Sequence, residues 1–323
     1  MSDAGEHRLV PSAESFREWA IEGFAYLRDS GFGPANLKLQ SLYNNASAFG
    51  VGAETPSEPL SGIALYRAMA TYIGATIPLR IELQTGPPGS WPDITASAGE
   101  LRDYYSAQAR FLEETELGKA PPEPAVPEYA HEATTHYLHV LPREARERSD
   151  WRIGLNVLPQ SIAEAMTALA PLIEKYPAIC DIKFQGPAST LKPDSVIVYV
   201  SRDADRYDDL QAEILRLAET LKIQPRVGAI WDEIAPGIGL AAEAPPGESF
   251  LRYRCLVFYL AFLSFEGKLD SGDFALFWEY LRKYAAMFGL DIDRPHLQLP
   301  LDRTSQSFQM ANRRLRRFSE AWR

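Results

Sequence analysis

Cysteine is almost missing from this sequence: Cys180 and Cys255 are the only two. Each sits in an apolar run, so both read as small core residues, and the shortage of thiols points to a reducing compartment. Long hydrophobic runs are missing as well. The longest, "CLVFYLAFLSF" from Cys255, falls far short of the ~20 residues that a membrane helix needs. The first residues, "MSDAGEHRLVPSAESF", lack the apolar centre of a secretory signal. Positive charge is also in deficit. A net charge of −10 argues against a nucleic-acid partner, which normally meets a basic face. The expectation is a cytoplasmic protein with neither membrane nor nucleic-acid partner, although a local basic pocket for an anionic substrate stays open.

Familiar catalytic signatures are absent too. There is no G-x-x-x-x-G-K-[ST] phosphate loop, no G-x-S-x-G elbow and no C-x-x-C pair, which disfavours nucleotide-dependent and zinc chemistry. His131, His136 and His139 do not make a metal set on a strand, because 136 and 139 point to opposite faces. "GFGPANL" at 31–37 follows a helical pattern and reads as a turn. No metal and no organic cofactor is expected.

What remains is an ordinary globular composition, 46% hydrophobic and 24% charged, long enough for one large or two smaller cores. Helical spacing of apolar residues occupies 14–29, 60–75 and 97–116. The proline-rich "GKAPPEPAVPEYA" at 118–130 then stops helices. This divides the chain into a helical N-terminal region, 1–130, and an α+β domain, 131–323.

Beyond the boundary the pattern is β-β-α-β-β-α. Strands are predicted near 136–141, 151–158, 179–186 and 194–201, and helices over 161–175 and 205–222. The charged "PREARERSD" reads as a hairpin-like link between the first two strands, and Pro171 should kink the first helix. The expected fold is α+β: an antiparallel or mixed sheet with helices on one face, preceded by the helical N-terminal region. A further strand in "GIGLAAEA", apolar helices at 248–265 and 272–288, and the Arg-rich helix "NRRLRRFSEAWR" complete the chain.

The phase of the strands raises the functional question. "AICDIKFQ" buries Cys180, Ile182 and Phe184 on one face, so Asp181, Lys183 and Gln185 point the other way. If the more apolar face is covered in every strand, the opposite face carries Tyr137, His139, Arg152, Asn156, Asp181, Lys183, Gln185 and Tyr199. A solvated sheet face would look the same, and period alone does not separate that reading from a reaction site.

The run "WRIGLNVLPQSIAEAMTALAPLI…DIKFQGPASTLKPDSVIVYVS" resembles the HopA-like family, which includes a plant-pathogen type III effector and lyase-like proteins of lanthipeptide and thioamitide biosynthesis. Trp151, Arg152, Leu155, Asn156, Val157, Pro159, Ile182, Lys183, Lys192, Pro193, Asp194, Ser195 and Tyr199 carry the likeness. A second block, "PGIGLAAEAPPGESFLRYRC", adds Ser249, Phe250 and Arg254, with Leu251 where the family has glycine. The resemblance spans roughly 130–300 and extends distantly to phosphothreonine lyases and lanthipeptide-synthetase lyase domains.

That resemblance implies a metal-independent phosphoserine/phosphothreonine lyase making dehydroamino acids in a precursor peptide. Its partners would be the phosphorylated peptide and a separate Ser/Thr kinase. Lys183 falls at the position of the base and Arg152 at a phosphate-binding lysine, while Gly154 stands where the acid histidine belongs. A lysine beside other cations in a low-dielectric pocket suits proton abstraction from Cα. Arg152, Lys192 and Arg254 are the cations for phosphate, with Asn156 and Asp194 from the matched motifs. Tyr199 would hydrogen-bond the developing enolate, and His139 would replace the missing acid if its strand neighbours "WRIGLNVL". The alternative is a non-catalytic, effector-type protein-binding module or a kinase-activating scaffold.

Overall fold

The computed structural model describes residues 12–30, 34–48, 63–74, 80–84, 98–125, 137–142, 144, 146, 149–158, 161–186, 194–245, 248–266 and 273–321. In chain order the first elements are α1 (Ser12–Asp29), α2 (Ala35–Ala48), α3 (Ile63–Gly74), β1 (Arg80–Gln84) and α4 (Ala98–Glu116). β2 (Tyr137–Leu141), β3 (Trp151–Leu155), α5 (Ile162–Leu169), α6 (Leu172–Lys175), β4 (Ile179–Gln185), β5 (Val196–Val200) and α7 (Tyr207–Ala218) follow. The chain then forms β6 (Asp232–Ala235), β7 (Ile238–Ala242), α8 (Phe250–Glu266), α9 (Phe274–Ala286) and α10 (Gln306–Ala321). The fold is α+β with an antiparallel sheet.

Two compact units share these elements. One comprises 52–226 with 235–238; the other comprises 1–51, 227–234 and 239–323. The division therefore does not fall at residue 130. Proline marks where a helix stops, whereas unit membership depends on which apolar face each helix buries. α3 packs on α4 and α5 in the sheet unit, and α2 packs on α8 in the other.

In the sheet unit the strand order is β1-β2-β4-β5-β3, every neighbouring pair antiparallel. Leu138, Val140, Ile153, Ile182, Phe184, Val196, Val198 and Val200 are fully buried. Side chains of this size each contribute about 1.5–3 kcal/mol on burial, so a one-residue slip of any strand would be costly. α5 and α6 pack against β4, and α5 adds Ile162, Ala165, Met166 and Leu169 to the core. The helix breaks at Pro171 as expected, leaving α6 as a short second piece. Arg146 donates to the carbonyls of Ile173, Tyr176 and Ile179 at 2.6–2.8 Å. The guanidinium thereby ties the end of α6 to the start of β4.

The order corrects two expectations. β2 and β3 are not a hairpin: β4 and β5 lie between them. Alternation shows which side of a strand is apolar, not which strand it pairs with. The nine residues 142–150 reach easily over the ~14 Å that three inter-strand spacings require. The second correction is a bulge between Ile179 and Asp181. It turns Ile179 into the core and leaves Cys180 half-buried, whereas Cys255 is fully buried as predicted. The bulge bends the start of β4 while keeping Asp181 opposite Tyr199.

The other unit is built on aromatics. Trp19 of α1 meets Phe258 of α8 at 4.9 Å between ring centroids, and Phe24 stacks on Phe277 of α9 at 4.8 Å. Such pairs add about 0.5–1.5 kcal/mol beyond the area they bury. α2, β1 and β6 have no counterpart among the predicted elements; they are short or weakly amphipathic, and period says little about them.

The turn between β6 and β7 depends on Gly237. Its φ is +72°, and a Cβ there would collide with the Gln224 carbonyl and the Ile223 side chain. Gly237→Ala should destabilise the protein by at least the ~1–3 kcal/mol of a left-handed non-glycine residue, measured as a lower midpoint in urea unfolding.

Candidate active site

Antiparallel pairing places residues directly opposite one another on the same face, with Cβ atoms ~4.5–5.5 Å apart. In this sheet His139 opposes Lys183, Lys183 opposes Ile197, and Ile197 opposes Gly154. The parallel row on the same face is Asp181, Tyr199 and Arg152. At the other end Gln185 opposes Tyr137. Seven polar residues from four strands therefore share one face.

Their side chains converge. His139 Nδ1 lies 2.6 Å from Asp181 Oδ2. The His139 ring runs nearly parallel to the Tyr199 ring, at 21° and 6.5 Å between centroids. On the other side of Tyr199 the Arg152 guanidinium carbon lies 5.1 Å from the ring centroid. Lys183 Nζ sits 3.4 Å from the centre of the Tyr137 ring. Aromatic faces thus hold both cations, a contact worth about 0.5–2 kcal/mol depending on solvation. His139 and Arg152 are buried, while Lys183, Asp181 and Tyr199 remain partly exposed. A face that were merely solvated would not bury an imidazole and a guanidinium.

Asp194, two residues before β5, belongs to the same end as Tyr137. Burial first, and then the Asp194 charge, push the Tyr137 hydroxyl well above its ordinary range. Tyr137 therefore keeps its proton.

Two predicted site residues are taken up by backbone carbonyls. Asn156 is buried beyond the end of β3, where its Nδ2 donates to the Arg226 carbonyl at 2.7 Å. Its backbone ties to Gly237 and Gln224 at 2.9 and 2.8 Å. It secures a loop, not a ligand. Arg254 belongs to the other unit, and four of its N–H bonds engage the carbonyls of Pro295, Phe250, Ala242 and Leu297. At 3% exposure it is a structural clamp. Lys192 lies outside the described residues, as do His131 and His136. Among the described residues no group of three or more His, Cys, Asp or Glu is arranged to hold a metal, and no helix is long and apolar enough to cross a membrane.

Residues 125–297, more than half of the chain, match the model of the HopA1 effector protein family. The chain belongs to the HopA1 effector protein family. Among solved structures it is similar to the effector protein from Pseudomonas syringae pv. tomato strain DC3000, with 17% identity and a TM-score of 0.57. That match covers 90% of this chain and 99% of the other. The effector protein from Pseudomonas syringae pv. syringae strain 61 is similar at 18% identity and a TM-score of 0.58, over 91% and 100% of the two chains. At such identities the likeness shows a shared fold. No curated protein matches the chain.

In this HopA1 family member His139 does not fill the gap at Gly154, because β4 and β5 separate their strands. It stands beside Lys183 instead. Asp181, Tyr137 and Gln185 were visible in the sequence only as members of a polar phase; nothing local singled out Asp181 as the partner of a histidine 42 positions away.

The clamp reading of Arg254 has a direct consequence. Arg254→Ala should strand several buried carbonyls, each costing about 1–3 kcal/mol, and lower thermal stability markedly. Differential scanning calorimetry checks it.

Proposed function

We propose that this protein is a metal-independent phosphoserine/phosphothreonine lyase acting on a peptide phosphorylated by a separate kinase. The observation that carries the reading is the direct opposition of His139 and Lys183 on one sheet face, with Arg152 and Tyr199 in the next row. Elimination needs a base for the Cα proton and an acid for the oxygen leaving Cβ. These reacting atoms sit on adjacent carbons, and an opposed strand pair presents two groups at a matching separation.

In this reading the Lys183 amine takes the Cα proton. The electron pair of that C–H bond becomes the new Cα–Cβ double bond as the Cβ–O bond breaks. Phosphate departs with the bonding electrons and receives a proton from His139. Arg152 holds the phosphate dianion by charge-assisted hydrogen bonds, and Lys192 joins it from the matched motif. Tyr199, held between the Arg152 guanidinium and the His139 ring, supplies a donor to the substrate carbonyl as enolate charge develops. Asp194 and Tyr137 flank the lysine end. Asn156 and Arg254, committed to backbone carbonyls, play no part. The products are dehydroalanine or dehydrobutyrine residues, as in the biosynthesis of ribosomal peptides of the lanthipeptide and thioamitide type.

A second reading is an effector-type binding module that performs no chemistry. Gly154 at the expected acid position favours it, and two proteins of similar fold are described as effectors. Incubation with a phosphopeptide separates the two: loss of phosphoric acid by mass spectrometry supports the lyase, and intact bound phosphopeptide supports the module.

For the lyase, Lys183→Ala should lower kcat by ~10²–10⁴ or more while phosphopeptide binding persists. Arg152→Ala should instead weaken binding by about 1.5–3 kcal/mol. Wild-type turnover by the Lys183 variant would remove it from the role of base.

A further inference from the structure

We infer that Asp181 is the positioning residue that sets the tautomer and direction of the His139 imidazole. The inference about chemistry rests on the lyase reading; the inference about the tautomer does not. His139 has Lys183 as its opposed partner, yet its ring leans along the sheet to Asp181, on the same face one step nearer the bulge. The 2.6 Å contact joins Nδ1 to Oδ2, with the two side chains 5% and 19% exposed.

An ionised carboxylate only accepts hydrogen bonds, so Nδ1 must carry a proton. That leaves Nε2 as the nitrogen that exchanges a proton with anything bound on this face. The Tyr199 ring beside the imidazole limits its rotation, and the bulge between Ile179 and Asp181 fixes where the carboxylate stands. During elimination Nε2 gives its proton to the departing phosphate oxygen, and the neutral ring that remains is the Nδ1–H form that Asp181 stabilises. The arrangement follows the general logic by which a carboxylate orients a histidine for proton transfer.

Asp181→Asn is nearly isosteric but changes this logic. An amide presents either a donor or an acceptor to Nδ1, so the neutral ring is released to the Nε2–H form. Nitrogen-15 NMR of the imidazole, assigned with a His139→Gln control, distinguishes the two forms without any substrate. The wild-type protein should show neutral His139 protonated at Nδ1, Asp181→Asn should shift it toward Nε2, and Asp181→Glu should keep the wild-type form in part. With a phosphopeptide that the wild-type protein turns over, Asp181→Asn should reduce kcat at least ten-fold with KM nearly unchanged.

A wild-type ring protonated at Nε2, or unchanged nitrogen shifts and kcat in Asp181→Asn, would overturn the inference. If Asp181→Asn fails to fold, the wild-type and Asp181→Glu spectra decide it. If the wild-type protein eliminates no phosphate, the lyase reading fails while the tautomer result stands on its own.

Discussion

The pairing of β2 against β4 is the constraint on which the polar face depends. It sets His139 opposite Lys183, and the pairing of β4 with β5 then brings Tyr199 opposite Asp181. Arg152 follows through β5 and β3. None of these strands can slip by one residue without moving Val140, Ile182, Val198 and Ile153 out of the core. The geometry of the polar face is therefore held by the hydrophobic energy of the opposite one. Changing a residue on the polar face leaves that restraint intact.

Aromatic rings steady the cations on this face. Lys183 lies on Tyr137 and Arg152 on Tyr199. A ring steadies a cation without saturating its donors in the way a bidentate carboxylate would. That suits the phosphate dianion of the proposed lyase reaction. Arg254 and Arg146 show the other use of the same side chain. Their guanidinium groups are filled by backbone carbonyls and serve as fasteners. Residue type distinguishes none of these arginines; hydrogen-bond partners do.

Membership in the HopA1 family sets the fold and leaves the chemistry to the residues of this chain. Gly154 removes one side chain from β3, and the histidine present on the face belongs to β2, beside the lysine. The lysine and the histidine therefore come from adjacent strands, and in the proposed lyase they would be base and acid.

The amino-acid sequence alone determined the kinds of elements and the two faces of each strand. Both follow from local backbone geometry: side chains alternate along a strand and recur at 3.6 residues around a helix. Hence Tyr137, His139, Arg152, Asn156, Asp181, Lys183, Gln185 and Tyr199 were readable as one polar set, and a kink at Pro171 was readable from proline chemistry. Strand order, the bulge beside Cys180, the division into units, and the separate fates of Asn156 and Arg254 were decided only by tertiary structure. Each depends on contacts between residues far apart in the chain, where the free energy lies in which apolar faces meet and which carbonyls need donors. No local period encodes that choice, and it is what brought Asp181 to His139.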